Sequence, residues 1–189
     1  LSVETGITFA SAPEYAMQND VVRVVGRTTS NHLVVLFVNV SWRASAPLVL
    51  DVTNVARDSG ISGSPLWLPS GLSIAASSPT GSLIYYQLPE SCTGAAGTCT
   101  TVLSTNLTAA TGAPLLTSDL AATATSTGMA ITGLSASGAA IVLSGTLTGA
   151  TWGWVDTNIT TPSGAPALSG RPFIAAVGSV ITVAATAAN

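Results

Sequence analysis

The chain has 189 residues, 47% of them hydrophobic and only 7% charged, with eight acids, five Arg, no Lys and a formal net charge of −3. Soluble domains carry about 25% charged residues. Disorder, which needs high charge and low hydrophobicity, is therefore excluded, as is a nucleic-acid surface, which five scattered Arg cannot build. The wettable surface must come from Ser, Thr, Gly, Ala and Asn, and so small a net charge favours association.

The length fits one domain, divided into an arm and spacer over residues 1–20 and a body over residues 21–189. The chain opens on Leu1, so we expect a processed N-terminus with its signal peptide removed. Residues 1–10 alternate. Leu1, Val3, Thr5, Ile7 and Phe9 share one face, and Ser2, Glu4, Gly6, Thr8 and Ala10 the other. This predicts an extended strand whose apolar face must be buried. It is either the first strand of the domain's own sheet or a donor strand inserted into the next subunit. Residues 13–18 are expected to make one helical turn.

Strands are expected over 21–28, 33–42, 48–55, 72–76, 82–88, 100–107, 129–134, 139–147, 151–157 and 173–187, punctuated by Gly, Pro, Ser and Asn. Residues 58–71 read as a long connection that Leu66, Trp67 and Leu68 pack down as a lid. Residues 109–127 are low in complexity, and no internal repeat stands out. The apolar segment 172–188 is shorter than the ~20 residues of a spanning helix, and its Gly178, Ser179, Thr182 and Thr186 suit a strand. No membrane span is expected. The whole reads as an all-β fold, a β-sandwich of jelly-roll or Ig-like type with an extended N-terminal arm.

Cys92 and Cys99 are expected to close a hairpin tip as a disulfide, which points to an oxidising, extracellular setting. Asn39, Asn106 and Asn158 open sequons that permit N-glycosylation. His32 is the only His, so no metal site and no Ser-His-Asp site is expected. Asp51 and Asp58 suit a salt bridge or an Asx-turn better than paired-carboxylate chemistry. No Gly-rich phosphate loop is present, and neither a catalytic residue nor a cofactor is expected. Trp152 and Trp154, at i and i+2 on one strand, either pack in the core or form a platform for stacking on a sugar.

The alternating arm from Leu1 to Phe9, the all-β body and the Ser/Thr-rich, charge-poor surface with sequons resemble subunits of donor-strand surface filaments. These are archaeal threads and bundling pili and, more distantly, bacterial chaperone–usher pilins. The resemblance implies a secreted, glycosylated, non-enzymatic subunit on the cell surface. Its partners would be identical subunits joined head to tail by inserted N-terminal strands, with a role in adhesion, biofilm or cell contact. Two other readings fit the pattern: a secreted carbohydrate-binding module using Trp152 and Trp154, and a viral coat jelly roll. The missing basic arm weakens the second of these.

Overall fold

The computed structural model describes residues 5–18, 20–39, 47–92, 99–178 and 180–188, with the backbone alone for Gln18 and Asn39. The all-β class holds. The first sheet is an antiparallel meander of β1 (Glu14–Gln18), β2 (Val21–Arg27), β3 (Leu33–Asn39) and β4 (Leu48–Asp51), closed by the short helix α1 (Val52–Ala56). The second is β5 (Ser62–Trp67), β6 (Ser73–Ser77), β7 (Leu83–Gln87) and β8 (Leu103–Asn106), closed by α2 (Leu107–Thr111). The third is β9 (Ala121–Thr125), β10 (Gly128–Leu134), β11 (Ala140–Thr148) and β12 (Thr151–Asn158), closed by α3 (Thr160–Ser163). The fourth is the hairpin of β13 (Leu168–Val177) and β14 (Val180–Ala187).

These are copies of one unit. Phe9, Ile61, Leu116 and Leu168 open them at intervals of about 52–55 residues, a spacing typical of repeat architectures. The second and third strands of each complete meander are joined by the same five-residue turn. Its first N–H donates to its last carbonyl, Thr28 to His32, Ser78 to Ser82 and Ser135 to Ala139, at 2.8–2.9 Å. The first hydroxyl in turn accepts from the last N–H at 3.1–3.2 Å. The fourth position needs a left-handed backbone, φ 65°, 87° and 74°, and is Asn31, Gly81 and Gly138. Asn and Gly are the residues that tolerate that region.

A second joint ties each helix to its sheet. Asp51, Asn106 and Asn158 cap the helix by accepting from Asn54, Ala109 and Thr161 N–H. Two residues further on, the hydroxyls of Thr53, Thr108 and Thr160 accept from the first N–H of the third strand, at Leu33, Leu83 and Ala140, at 2.7–2.9 Å. The third joint links units. The N–H of Ile61, Leu116 and Leu168 donates to the carbonyl of Asn31, Gly81 and Gly138 in the preceding turn, at 2.8–2.9 Å.

The expected sandwich gives way to four sheets stacked face on face. Val25, Val35 and Phe37 of the first sheet meet Ile74, Ile84 and Tyr86 of the second. Leu66, Leu83 and Tyr85 on the opposite face of the second meet Met129, Ile131 and Leu143 of the third. Ala130 and Val142 of the third meet Ile174, Ile181 and Val183 of the fourth. The inner strands of the second sheet, β6 and β7, are thus buried on both faces. Arg23 and Arg27 span the first seam, donating to the Gly71 and Gly63 carbonyls at 2.8 and 3.0 Å.

Several expectations change. The helical turn at 13–18 is strand β1, because Glu14 to Gln18 pair with Val25 to Val21. The proposed boundary at residue 20 therefore falls inside the first sheet. Residues 58–71 hold strand β5 rather than a lid, and 109–127 hold strand β9. The segment 173–187 is two strands folded back at Gly178. The continuous arm strand is not seen over the described residues: Thr5 is helical, Gly6 has φ 67°, and residues 6–8 form no ladder. Phe9 bridges Thr28 of its own unit, and its ring fills the space that a Cβ on Gly26 would need. Leu1 and Val3 lie outside the described residues.

Thr53 is buried, and its hydroxyl accepts from the Leu33 N–H at 2.7 Å. An unsatisfied buried donor costs about 1–3 kcal/mol. Thr53→Val should lower unfolding free energy by that amount in urea titration, whereas Thr53→Ser should restore most of it.

Candidate functional site

Trp152 and Trp154 lie half-buried on the face of the third sheet that meets the second. Their rings stack with centroids 5.8 Å apart. Tyr85 from β7 sits 5.3 Å from Trp154 and 6.4 Å from Trp152. The strands were built to receive them. A Cβ on Gly145 would lie 2.8 Å from the Trp154 ring, and one on Gly128 would lie 3.0 Å from Trp152. Both indoles therefore spend their faces on each other, on Tyr85 and on glycine backbone. A groove of about 710 Å³ opens beside them, lined by Trp152 with Gln87, Glu90, Leu103 and Leu147; Trp154 does not line it. The Tyr85 hydroxyl is paired with Ser73 at 2.8 Å.

The chain's one imidazole pairs through Nδ1 with Asp51 Oδ2 at 2.6 Å. Asp51 Oδ1 is meanwhile committed to capping α1. The corresponding positions in the other units are Ser82 and Ala139 for His32, and Asn106 and Asn158 for Asp51. The dyad thus stands where its sister units place purely structural residues. Two of the three sequons are structural joints as well, since Asn106 and Asn158 cap helices while Thr108 and Thr160 receive strand N–H groups. The side chain of Asn39 is not among those described, and Ser41 lies outside the described residues. Cys92 and Cys99 form the expected disulfide, with Cα atoms 4.8 Å apart. Among the described residues no three His, Cys, Asp or Glu side chains converge as a metal site. No described helix is long and apolar enough to cross a membrane.

No family model and no curated protein matches the chain.

What the sequence reading did not find is the surface at the two ends of the stack. Every middle sheet presents a back face to the preceding sheet and a forward face to the following one. On the back face, Tyr15 of β1 corresponds to Trp67 and Ile174, which pair with Ile74 and Val183 as Tyr15 pairs with Val24. Trp67 and Ile174 are buried against the preceding sheet, 8% and 5% exposed, whereas Tyr15 is 78% exposed and Met17 68%. On the forward face, Phe173 of β13 corresponds to Leu66 and Ala121, which pack on the following sheet. Phe173 is 67% exposed, and Val177 and Val180 stand open beside it. The available signal was Ile61-Ser-Gly-Ser-Pro65 against Leu168-Ser-Gly-Arg-Pro172, two unit openings that match at three positions.

Overpacking a filled site costs about 1–3 kcal/mol. Gly145→Ala should lower stability by that amount and shift the tryptophan emission, because Trp154 must leave its seat. The buried Tyr86 phenol is pushed above its ordinary range, chiefly by burial and then by the negative charge of Asp58. The folded state therefore holds this proton more tightly than the unfolded chain. The associated stability is fully present below about pH 10, the ordinary phenol value, and falls as pH rises above it. Tyr86→Phe should flatten that alkaline loss in urea titrations at successive pH values.

Proposed function

We propose that the chain is a non-enzymatic structural subunit of an extracellular homopolymer. The observation that carries this reading is the use to which each unit puts its polar side chains. The Asx caps, the paired turn hydroxyls and the helix threonines do the same mechanical work in each complete meander. The one His–carboxylate pair stands at two of those positions. A protein that spends its chemistry on joints, and repeats the joints in register, is building material. The disulfide supports an oxidising compartment. Capping uses the carboxamide oxygen of Asn106 and Asn158, which leaves the amide nitrogen for a glycan. The low charge supports close packing among like subunits.

The test is negative-stain microscopy of protein secreted from an oxidising compartment. Elongated or ring-shaped particles with a regular repeat are expected. Monodisperse single subunits at high concentration would overturn the reading, as would turnover of a glycan panel. Deleting residues 1–8 separates two possible connectors. Loss of the polymer would identify the arm as an inserted strand. Persistence would leave the terminal sheets, and persistence is expected because Phe9 is already seated on Gly26 of its own unit.

A further inference from the structure

We infer that the groove between the second and third sheets binds a neutral oligosaccharide, so that the chain holds glycan as well as building structure. The inference goes beyond the reading of the chain as a structural subunit and does not depend on it, because every residue it uses belongs to one molecule.

The groove stands where the repeat departs from itself. Phe37 and Gln87 are each the fifth residue of a third strand, counted from Leu33 and Leu83, and they pair with Leu48 and Leu103 of the fourth. At the first seam Phe37 is buried, 3% exposed, and Leu48 packs against the same core. At the second seam the same two positions hold Gln87, which brings a carboxamide in place of a phenyl ring, and Leu103, which is 68% exposed. The second seam is sealed at Tyr85, Trp152 and Trp154. Beside Trp152 it opens as the groove of about 710 Å³, within the ~300–1,000 Å³ of small-molecule sites.

The lining matches the two kinds of surface that a sugar carries. Leu103 and Leu147 are large, apolar and exposed. Trp152 has its faces spent on Trp154, Tyr85 and the Gly128 backbone, so it supplies apolar contour rather than a stacking platform. In the same groove stand Gln87, Glu90 and Thr101, whose side chains make no hydrogen bond to another described residue. At the turns, caps and helix joints the polar side chains are spent on the backbone. Here a carboxamide, a carboxylate and a hydroxyl remain unspent, and together they offer donors and acceptors. A pyranose presents C–H groups on its faces and hydroxyls around its rim, so it uses both surfaces at once. A purely apolar ligand would leave the carboxamide and the carboxylate without partners. Glu90 is the only ionisable side chain in the lining among the described residues. The groove thus has no cation to hold a phosphate, a sulfate or a uronate, and its one carboxylate repels them. The occupant is therefore an uncharged sugar chain.

The test is titration of the full chain with cellohexaose, chitohexaose and mannohexaose, read by calorimetry and by tryptophan emission. At least one of them should bind once per chain, at millimolar concentration or below, and shift the emission through Trp152. A sulfated heparin hexasaccharide should bind at least about tenfold more weakly. Gln87→Phe gives the second seam the residue of the first; it should fill the groove and weaken binding at least about tenfold. Leu103→Ser alters an exposed side chain and should weaken binding by a similar factor with an unchanged circular dichroism spectrum. Failure of all three neutral probes would overturn the inference. So would wild-type affinity in both variants, or a hold on the heparin fragment as tight as on the neutral sugars. None of these results bears on polymer formation, which microscopy decides separately.

Discussion

The arrangement of this protein hangs on one hydrogen bond made three times. The left-handed residue in the turn of each complete unit offers its carbonyl to the N–H that opens the next unit. The turn sits in the middle of its own meander, so that carbonyl is held by two strands rather than by a free loop. The opening residue is the anchor of the strand that will cross the seam. One bond therefore fixes the phase of one sheet against its neighbour. A sheet displaced by one residue would reverse the faces of its strands and place polar side chains in the seam. The five-residue turn, with its paired hydroxyls, keeps the carbonyl aimed.

This constraint explains the composition. Sheets stacked face on face shut water away from both sides of inner strands such as β6 and β7. Such strands have no polar face on which charges could be placed. The interior polar work falls to hydroxyls and carboxamides, which satisfy backbone groups without the desolvation cost of an ion. Ser and Thr recur at the turns and helix joints for that reason. Buried Arg23 and half-buried Arg27 of β2 cross a seam all the same, donating to backbone carbonyls of the next unit, where a guanidinium has several donors to offer. The low charge that first suggested association thus has an internal cause as well.

The strand content was legible because β-branched runs between Gly and Pro clusters are a local signal. The strands at 21–27, 33–39 and 151–158 were readable within a residue or two wherever the described residues allow a comparison. The disulfide was also legible, from the spacing of Cys92 and Cys99. The repeat was not, because its units share roles rather than identities. The cap is Asp51, Asn106 or Asn158, and the left-handed position is Asn31, Gly81 or Gly138. Two of the sequons were instances of the repeated cap-and-hydroxyl joint, and Asp51-Val-Thr53 was the third, hidden because aspartate makes no sequon. Strand β1 was missed because Glu14, Ala16 and Met17 favour helix, and only pairing with β2 overrides that preference. The place of Trp152 and Trp154 could not be read either. Their shared face was plain from the alternation, but whether it met water or Tyr85 depended on a strand nearly seventy residues away in sequence.

The meander has a consequence for how the chain reaches its native state. All-β proteins are generally slow to fold, because their strands pair across long stretches of sequence. Here nearly every ladder joins neighbours along the chain, and each seam joins consecutive units. The loops to be closed are therefore short for a fold of this class. A unit can form as soon as its own helix has emerged, without waiting for the C-terminal hairpin. The finished unit then presents a prebuilt template, a turn carbonyl and an apolar face, to the next. Order should spread along such a chain by nearest-neighbour growth from whichever unit forms first.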